Sequence, residues 1–342
     1  MTAGPSLAES APRQRPTQLG LGAWAYDRGE FVPATAPRLP LSTQGLHYGT
    51  AVFEGIRAYP SDSGLRLFRA REHYERLLRG CRILRITQIP TVRELIDITV
   101  ELLRRNAHDG NVYIRPLAHK LSLLPGTPPG VSLAGVSDAL SLTTFGYPTS
   151  GKAEEVRCAL SAWRRPAGDA LPVQAKVAGG YVTSALACDE ARATGYDDAI
   201  LLDRWGNVAE ASTANVFMVR DGVLVTPPAT GDLLPGITRD TVITLCRERG
   251  TTVLERTLSL ADLYTADEVF LTSTGKGVAS VVELSGRNIG SGTAGPVTAR
   301  VAALYHSATG AGDVGHPEWL ITVPPSEHLP HHPRTPSEGT NR

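Results

Sequence analysis

The sequence predicts an α/β protein of two domains, a small mixed domain followed by a larger domain rich in strands. Its 342 residues correspond to about two domains of ordinary size and are enough to bury a substantial core. Strand-like and helical segments alternate in the first half, and short strand-like runs dominate the second half. Residues 163–172 contain two prolines and a Gly-Asp pair, and this composition predicts the linker between the domains.

The two ends of the chain are predicted to lie outside these domains. Residues 1–38 are rich in Pro, Ala, Gln and Ser, which predicts a largely irregular extension with one possible strand at 24–26. The small domain then covers residues 39–162 and the large domain residues 173–308. Residues 309–342 are predicted to form a flexible tail, because most of this segment is rich in Pro and His and lacks periodicity.

Hydrophobic periodicity predicts the elements of each domain in order. Apolar residues at helical spacing indicate the helices, and short apolar runs bounded by turn residues indicate the strands. The small domain is predicted to contain strands at 65–68, 112–117, 139–143 and 156–160, and helices at 71–84 and 92–107. The large domain is predicted to contain strands at 198–202, 214–219, 223–226 and 268–272, and helices at 181–194, 238–249 and 297–308. Between the small-domain elements, residues 122–135 are rich in Pro and Gly and predict a long loop.

Composition and charge narrow the class of function. Lys plus Arg and Asp plus Glu both number 34, so no overall field favours nucleic acid or an anionic membrane. The four cysteines are scattered without metal-ligand spacing, which predicts reduced thiols and no metal site. The chain has no run of about 18 apolar residues and no apolar leader near its start. We therefore expect a cytoplasmic protein.

The segment at residues 174–181 (QAKVAGGY) carries the strongest chemical signal. Lys176 has apolar neighbours, and a lysine held partly out of water can keep a neutral, nucleophilic amine. Two glycines after it let the backbone pass close to a bulky ligand, and the phenol of Tyr181 can polarise what the amine attacks. Taken alone, a solvated surface lysine is the simpler interpretation.

Further motifs accompany this lysine along the chain. They are residues 47–57 (HYGTAVFEGIR), 113–116 (YIRP), 207–215 (NVAEASTAN), 233–240 (LLPGITRD) and 270–275 (FLTSTG). In this order and spacing the set resembles the class IV pyridoxal-phosphate aminotransferases, most closely the branched-chain amino acid aminotransferases, over roughly residues 41–303. The resemblance implies the two-domain fold of that family, with pyridoxal 5'-phosphate between the domains.

The resemblance implies roles for three residues around the cofactor ring. Lys176 is expected to hold the cofactor covalently and then to move the proton of the substrate Cα. Tyr181 is expected to donate a hydrogen bond to the phenolic oxygen of the cofactor. Glu210 is expected to keep the pyridine nitrogen protonated, since a carboxylate among small residues of a strand needs a partner when buried. An exposed position on an alternating strand remains the alternative for Glu210.

A phosphate site is predicted where residues 234–238 turn into a helix. The first amides of such a helix are unpaired and bind anions, although an ordinary Pro-Gly turn capped by Thr238 would have the same sequence. The cofactor-binding residues implied by the resemblance are, in addition to the three above, Arg76, Leu234, Ile237, Thr238 and Thr274. A second phosphate-loop-like segment at 146–153 (GYPTSGKA) is rejected, because Ala153 replaces the hydroxyl residue and a strand follows.

The substrate pocket is predicted from the same resemblance. Its residues are Tyr48, Phe53, Arg57, Tyr113, Arg115, Trp163 and Gly275. Phe53 and Trp163 are expected to hold an apolar side chain, and Tyr113 and Arg115 to orient carboxylates, with help from Arg57 for an acidic substrate. The chain departs from the family pattern at Gly180, Ala211 and Lys276. Lys276 adds a cation near the carboxylate end of the site, which leaves a more polar substrate of a specialised pathway open.

The predicted function is amino transfer between a branched-chain or similar apolar L-amino acid and 2-oxoglutarate. The hydrophobic stretch at residues 46–59 predicts a homodimer or larger assembly. A D-amino acid or (R)-amine transaminase and an aminodeoxychorismate lyase use the same cofactor and remain alternatives. A regulatory relative that keeps the cofactor fold without turnover is disfavoured by the intact Lys176, Tyr181 and Glu210.

Overall fold

The computed structural model describes residues 20–121, 130–147, 154–310 and 315–325. In this part of the chain the strands form two sheets, one of eight and one of nine strands, with helices packed against both. The α/β class predicted from the sequence is confirmed. No helix within these ranges is long and apolar enough to span a membrane.

The first sheet is antiparallel throughout. Its strands are β1 (Trp24–Asp27), β2 (Glu30–Pro33), β3 (Ala51–Phe53), β4 (Ile56–Ser61), β5 (Gly64–Phe68), β6 (Val112–Lys120), β7 (Asp138–Gly146) and β17 (Leu320–Val323). They run in the order β17-β5-β4-β6-β7-β1-β2, and β3 adds to β6. Helices α1 (Gln44–Tyr48), α2 (Ala70–Ile83) and α3 (Val92–Asn106) belong to this half of the molecule, and the apolar faces of α2 and α3 share one core with the sheet.

The second sheet is mixed. Its strands are β8 (Glu154–Arg164), β9 (Asp198–Leu202), β10 (Val208–Ala211), β11 (Asn215–Arg220), β12 (Val223–Thr226), β13 (Val253–Glu255), β14 (Glu268–Ser273), β15 (Gly277–Leu284) and β16 (Arg287–Asn288). They run in the order β10-β9-β8-β15-β14-β11-β12-β13, with β16 beside β15. Strand β8 is parallel to β9 and β15, and β12 is parallel to β13. The helices of this half are α4 (Tyr181–Ala193), α5 (Ile237–Glu248), α6 (Leu260–Tyr264) and α7 (Pro296–Thr309).

Local sequence signals fix where the helices begin. Helix α3 starts with a capping box, in which the Thr91 hydroxyl accepts from the Glu94 N–H and the Glu94 carboxylate accepts from the Thr91 N–H. Helix α7 has Pro296 in its first turn, where a missing N–H costs nothing. The buried Glu268 carboxylate of β14 accepts hydrogen bonds from two free amides of that turn. Predicted and observed bounds of α2, α3, α4, α5 and α7 differ by no more than one residue.

The change of sheet does not occur at the predicted linker. Strand β8 was predicted as part of the small domain, yet it pairs with β9 and β15 of the second sheet. Its buried apolar side chains, Val156 and Cys158, lie in the core of that sheet. The chain therefore passes from the first sheet to the second between β7 and β8, ahead of residues 163–172. The hydrophobic pattern of one strand does not specify which strand pairs with it. The predicted domain boundary is displaced for this reason.

Parts of both predicted terminal segments are structured. Strands β1 and β2 form a hairpin that pairs with β7. At the other end β17 pairs with β5, and Trp319 packs its ring edge-on against Phe68 with centroids 6.1 Å apart. The prediction of a flexible tail is thus wrong for residues 315–325. The high Pro and His content of the tail predicted no regular structure there, although this segment contains two apolar residues, Trp319 and Val323, that are buried in the core.

Candidate active site

Two adjoining cavities are lined by residues from both halves of the molecule. The inner cavity is small, about 50 Å³, and mostly polar. The outer cavity is larger, about 650 Å³, and mostly apolar, with five aromatic residues in its wall. The residues common to both are Lys176, Tyr181, Thr213, Ser273 and Thr274. Lys176 and Tyr181 therefore lie where a ligand in one cavity would meet a ligand in the other.

Backbone contacts with β3 hold the lysine segment in place. The Phe53 N–H donates to the Lys176 carbonyl at 3.1 Å, and Val52 forms a β-bridge with Val177. The Gly179 N–H donates to the carbonyl of Gly49, which has φ +66°. A Cβ at position 49 would lie 2.5 Å from the Gly179 Cα, so this close approach of the two backbones requires glycine. The lysine segment is thus fixed to the first sheet.

The Lys176 side chain is surrounded by aromatic groups. Its Nζ lies 2.7 Å from the Tyr181 Oη and 4.9 Å from the centre of the Phe53 ring. Among the ion pairs of the described residues none involves this amine; the nearby carboxylates of Glu54 and Glu210 pair with arginines. The amine is therefore positioned by a phenol and ring faces, which leaves it available to react.

Glu210 is buried at the inner cavity. A β-bulge between Val208 and Glu210 directs the side chain, whose Oε1 lies 2.6 Å from the Arg165 Nε. Its other oxygen accepts from the Leu234 N–H at 3.2 Å and from the Asn215 amide at 3.3 Å. Burial raises the pKa of Glu210, and the positive charge of Arg165 partly opposes this shift. Such a carboxyl is suited to share a proton with a basic ring nitrogen.

The first turn of α5 lines the inner cavity. Gly236 is the N-cap and offers no side chain to the free amides of the first turn, and Ile237 and Thr238 line the inner cavity. A Cβ on Gly236 would lie 2.0 Å from the Asn215 Oδ1, so the tight approach explains the glycine. On the same wall, the buried Thr272 Oγ1 has no hydrogen-bond partner among the described atoms. Such orphan donors indicate a polar ligand.

Arg76 reaches this helix terminus from α2. Its Nη1 donates to the Pro235 carbonyl at 2.8 Å, while its Nε and Nη2 bind the two oxygens of Glu54 at 2.7 and 2.8 Å. The His73 Nδ1 contacts the same carboxylate at 2.8 Å. Burial by itself raises the pKa of Glu54, but Arg76 and His73 outweigh it and hold that pKa well below its ordinary range. The bidentate pair fixes the direction of the guanidinium.

The outer cavity combines aromatic rings with one arginine. The Arg115 Nη2 donates to the Tyr113 Oη at 3.0 Å, and its guanidinium carbon lies 4.8 Å from the centre of the Phe53 ring. Arg115 forms no ion pair with the described carboxylates, and its buried Nε has no hydrogen-bond partner there. Beside it, a Cβ on Gly55 would lie 1.9 Å from the Tyr113 hydroxyl, so the residue must be small. This cavity suits an apolar group and can also receive a carboxylate.

Comparison with known proteins agrees with this geometry. Residues 51–284 match the family model described as amino-transferase class IV. The chain belongs to the class IV aminotransferase family. It is 41% identical over 304 residues to a probable branched-chain-amino-acid aminotransferase of Aquifex aeolicus, covering 88% of this chain and 96% of that protein.

Solved structures of the same family are similar along most of their length. A branched-chain aminotransferase of Thermoproteus uzoniensis, crystallised with norvaline, has 36% identity and a TM-score of 0.82, with 88% of this chain and 99% of that chain covered. The T.th. branched-chain amino acid aminotransferase, complexed with N-(5'-phosphopyridoxyl)-L-glutamate, has 37% identity and a TM-score of 0.81, with 90% and 99% covered.

The structure brings most of the predicted site residues of this aminotransferase together. Those that line the two cavities are Phe53, Arg76, Tyr113, Arg115, Lys176, Tyr181, Glu210, Leu234, Ile237, Thr238, Thr274 and Gly275. Arg57 is buried behind the wall, where its Nη1 donates to the Gly275 carbonyl at 3.1 Å. The roles predicted for these residues stay predictions, and their placement supports them.

Two predicted pocket residues lie elsewhere. The Trp163 side chain is 46% exposed on β8, and Tyr48 is 44% exposed at the end of α1; neither lines the cavities. Phe145 and Tyr147, at the end of β7, line the outer cavity. Trp163 is the middle one of three consecutive exposed residues at the end of β8, where the pairing with β9 shifts register between Leu160 and Arg164.

Several residues at the site were not identified from the sequence. Glu54 lies inside the motif at 47–57, and its adjacency to Phe53 was the available signal. Arg165 lies in the predicted linker, where nothing distinguished it from a surface arginine. Tyr147 belongs to the segment that was rejected as a phosphate loop.

Proposed function

We propose that this aminotransferase uses pyridoxal 5'-phosphate to transfer amino groups between a branched-chain or similar apolar L-amino acid and 2-oxoglutarate. The observation that carries the proposal is the position of Lys176 at the junction of a polar cavity and an aromatic one. The polar cavity suits a phosphorylated, basic ring, and the aromatic cavity suits an aliphatic side chain.

The inner cavity contains a partner for each polar group of this cofactor. The amides at the start of α5, with Thr238, Thr274 and Arg76, suit the phosphate, because a helix terminus and a guanidinium both favour a dianion. Glu210 suits the ring nitrogen, and Lys176 and Tyr181 suit the aldehyde and the phenolic oxygen. When bound, the cofactor supplies an aldehyde that combines with amines and a ring that accepts electrons.

The residues of the chain then perform the binding and the proton transfers. The Lys176 amine would hold the cofactor through its aldehyde and, when free, would carry the proton to and from the substrate Cα. Tyr181 lies with its hydroxyl 2.7 Å from this amine and holds the lysine in range. Glu210 retains the proton at the ring nitrogen, and Arg165 fixes the orientation of this carboxylate. The aromatic walls of the outer cavity exclude water from the reacting atoms.

One pocket can serve both substrates because its arginine has no carboxylate partner among the described residues. A branched side chain contacts Phe53, Tyr113, Phe145 and Tyr147. A dicarboxylate places its distal charge at Arg115. Among the described residues, the Arg115 guanidinium is held only by the Tyr113 hydroxyl and by the rings of Phe53 and Tyr113. The bound pyridoxyl-glutamate of the T.th. relative supports this second mode.

We also propose that the active form is a homodimer or larger. Three apolar side chains near the lysine segment are exposed, Leu41, Leu46 and Tyr48. They precede Gly49, whose backbone touches the Gly179 of the lysine segment. A second copy of the chain covering this surface would bury them and shield the cavities. Sedimentation of an active monomer near 36 kDa would contradict the assembly without contradicting the chemistry.

A substrate panel tests the proposed reaction. The cofactor-loaded protein is given L-leucine, L-isoleucine or L-valine with 2-oxoglutarate, and formation of glutamate and of the matching oxo acid is measured. We expect turnover with these pairs and little with D-leucine or (R)-1-phenylethylamine as donor. Preference for a D-amino acid or an (R)-amine, or release of pyruvate from aminodeoxychorismate, would favour the corresponding alternative.

A further inference from the structure

We propose that Lys276 is a positioning residue of the outer cavity, and that it acts through Asp198 on the turn at residues 274–276. This inference rests on the proposed function only in taking the outer cavity as the place where substrate carboxylates bind. The turn joins β14 to β15, and Gly277 closes it with φ +67°. Thr274, Gly275 and Lys276 all line the outer cavity.

One side of the turn is held by Arg57. This residue is 2% exposed, and its Nη1 donates to the carbonyls of Thr274 and Gly275 at 3.5 and 3.1 Å. In a trans peptide the C=O and N–H point in opposite directions. The peptide after Thr274 therefore turns the Gly275 N–H to the side opposite Arg57, and Gly275 itself lines the outer cavity. An N–H so directed is a donor for a carboxylate.

The other side of the turn is held by Lys276. Its backbone N–H donates to the Ser273 hydroxyl at 3.2 Å, and its Nζ lies 3.1 Å from the Asp198 Oδ2. Asp198 is buried at the start of β9, where its other oxygen accepts from the Ala199 N–H and from the Ser212 hydroxyl. The ion pair thus connects the turn to the neighbouring part of the sheet, next to the inner cavity that Ser212 lines.

Because its ammonium is paired with Asp198, Lys276 positions the turn and does not itself bind a substrate carboxylate. Burial by itself lowers the pKa of Lys276, but the Asp198 carboxylate outweighs it and raises that pKa, so the ammonium stays charged. The ammonium is therefore already neutralised, whereas the nearby Arg115 has no carboxylate partner in the described chain. Loss of Lys276 would loosen the turn for every substrate alike, and loss of Arg115 would affect acidic ones.

Calorimetric titration with two unreactive carboxylic acids tests this difference. The probes are 4-methylvalerate, which is apolar, and glutarate, which carries a second carboxylate, each titrated into the cofactor-loaded protein. For Lys276→Ala we expect the Kd of both probes to rise by the same factor, about ten-fold, the loss typical of one charge-assisted contact. Lys276→Arg, which can keep the Asp198 pair, should stay within about three-fold of the wild type.

Matched variants separate positioning from general destabilisation. Arg157→Ala breaks the ion pair of Arg157 with Glu283, which is similar in length to that of Lys276 with Asp198 but lies on an exposed part of β8 and β15. This variant should leave both Kd values unchanged. Should Lys276→Ala fail to fold with Asp198 left unpaired, combined Lys276→Met and Asp198→Asn removes both charges and should show the same parallel loss.

Two results would overturn the inference. Unchanged Kd values in every folded Lys276 variant would show that the turn needs no such anchor. A loss confined to glutarate would make Lys276 a carboxylate ligand. Both are binding results, so they are read independently of turnover: a protein that bound the probes as expected but failed the substrate panel would contradict the proposed reaction and keep the role of Lys276.

Discussion

The Lys176 Nζ and the Tyr181 Oη lie 2.7 Å apart, with only a single 3-10 turn, Ala178–Gly180, between the two residues. Removing the hydroxyl removes this polar contact of the amine. Tyr181→Phe should therefore lower kcat by about ten-fold or more while changing KM little, as expected when a hydrogen bond to a charged group is lost. Steady-state kinetics check this, with Tyr264→Phe on α6 as a control. Unchanged kcat would show that the contact has no role in turnover.

A second prediction concerns the carboxylate at the inner cavity. Glu210→Gln keeps the shape of the side chain but cannot hold a proton at the ring nitrogen of the bound cofactor. We expect the fold to be retained and the removal of the substrate Cα proton to slow by about 100-fold, the usual cost of losing one preorganised charge. Single-turnover kinetics with Cα-deuterated leucine report that step. A near-wild-type rate of Cα proton removal would mean that Glu210 has only a structural role. Glu255→Gln on β13 provides the matched control.

The third prediction concerns recognition of the acidic substrate. Arg115→Ala should raise the KM for 2-oxoglutarate by about ten- to a hundred-fold and spare leucine, since one charge-assisted hydrogen bond is worth about 1.5–3 kcal/mol. The two KM values are compared in the same preparation. Equal losses for both substrates would mean that the arginine only supports the wall formed with Tyr113.

A fourth prediction follows from the buried group of Glu54, Arg76 and His73. The folded-state pKa of Glu54 lies below its ordinary value of 4.5, because Arg76 and His73 outweigh the effect of burial. The carboxylate therefore stabilises the fold fully above about pH 4.5, and this contribution is lost as the pH falls through the acid range below it. Urea midpoints between about pH 3.5 and 7 should fall on acidification. Glu54→Gln should be less stable at neutral pH and should lose part of this slope; an identical slope would refute the assignment.

Elements with strong local signals were predictable from the sequence. The apolar faces of α2 and α3 repeat over about four turns, and their bounds agree with the structure within one residue. The site residues within short motifs, such as Lys176 and Glu210, were found because those motifs resemble the pattern of the aminotransferase family.

Features that depend on distant partners were not predictable. Nothing local to β8 shows that it pairs with β9 and β15, so the predicted domain boundary was displaced. Trp163 was placed in the pocket from the family resemblance, and its exposed side chain is not among the residues that line the two cavities. The ion pair of Arg165 with Glu210 was not predictable either, because it joins residues 45 positions apart. The aspartate that neutralises Lys276 is likewise far away in the chain, and this changes the role expected of the lysine.

The central claim is that Lys176 is the residue that holds the cofactor. Borohydride reduction of the cofactor-loaded protein, followed by proteolysis and mass spectrometry, locates the attachment directly. We expect the reduced pyridoxyl group on the peptide containing Lys176, and we expect Lys176→Ala to bind pyridoxal phosphate without covalent attachment and to lose amino transfer by several orders of magnitude. An adduct on a different lysine, such as Lys276, or full activity of Lys176→Ala would contradict the account.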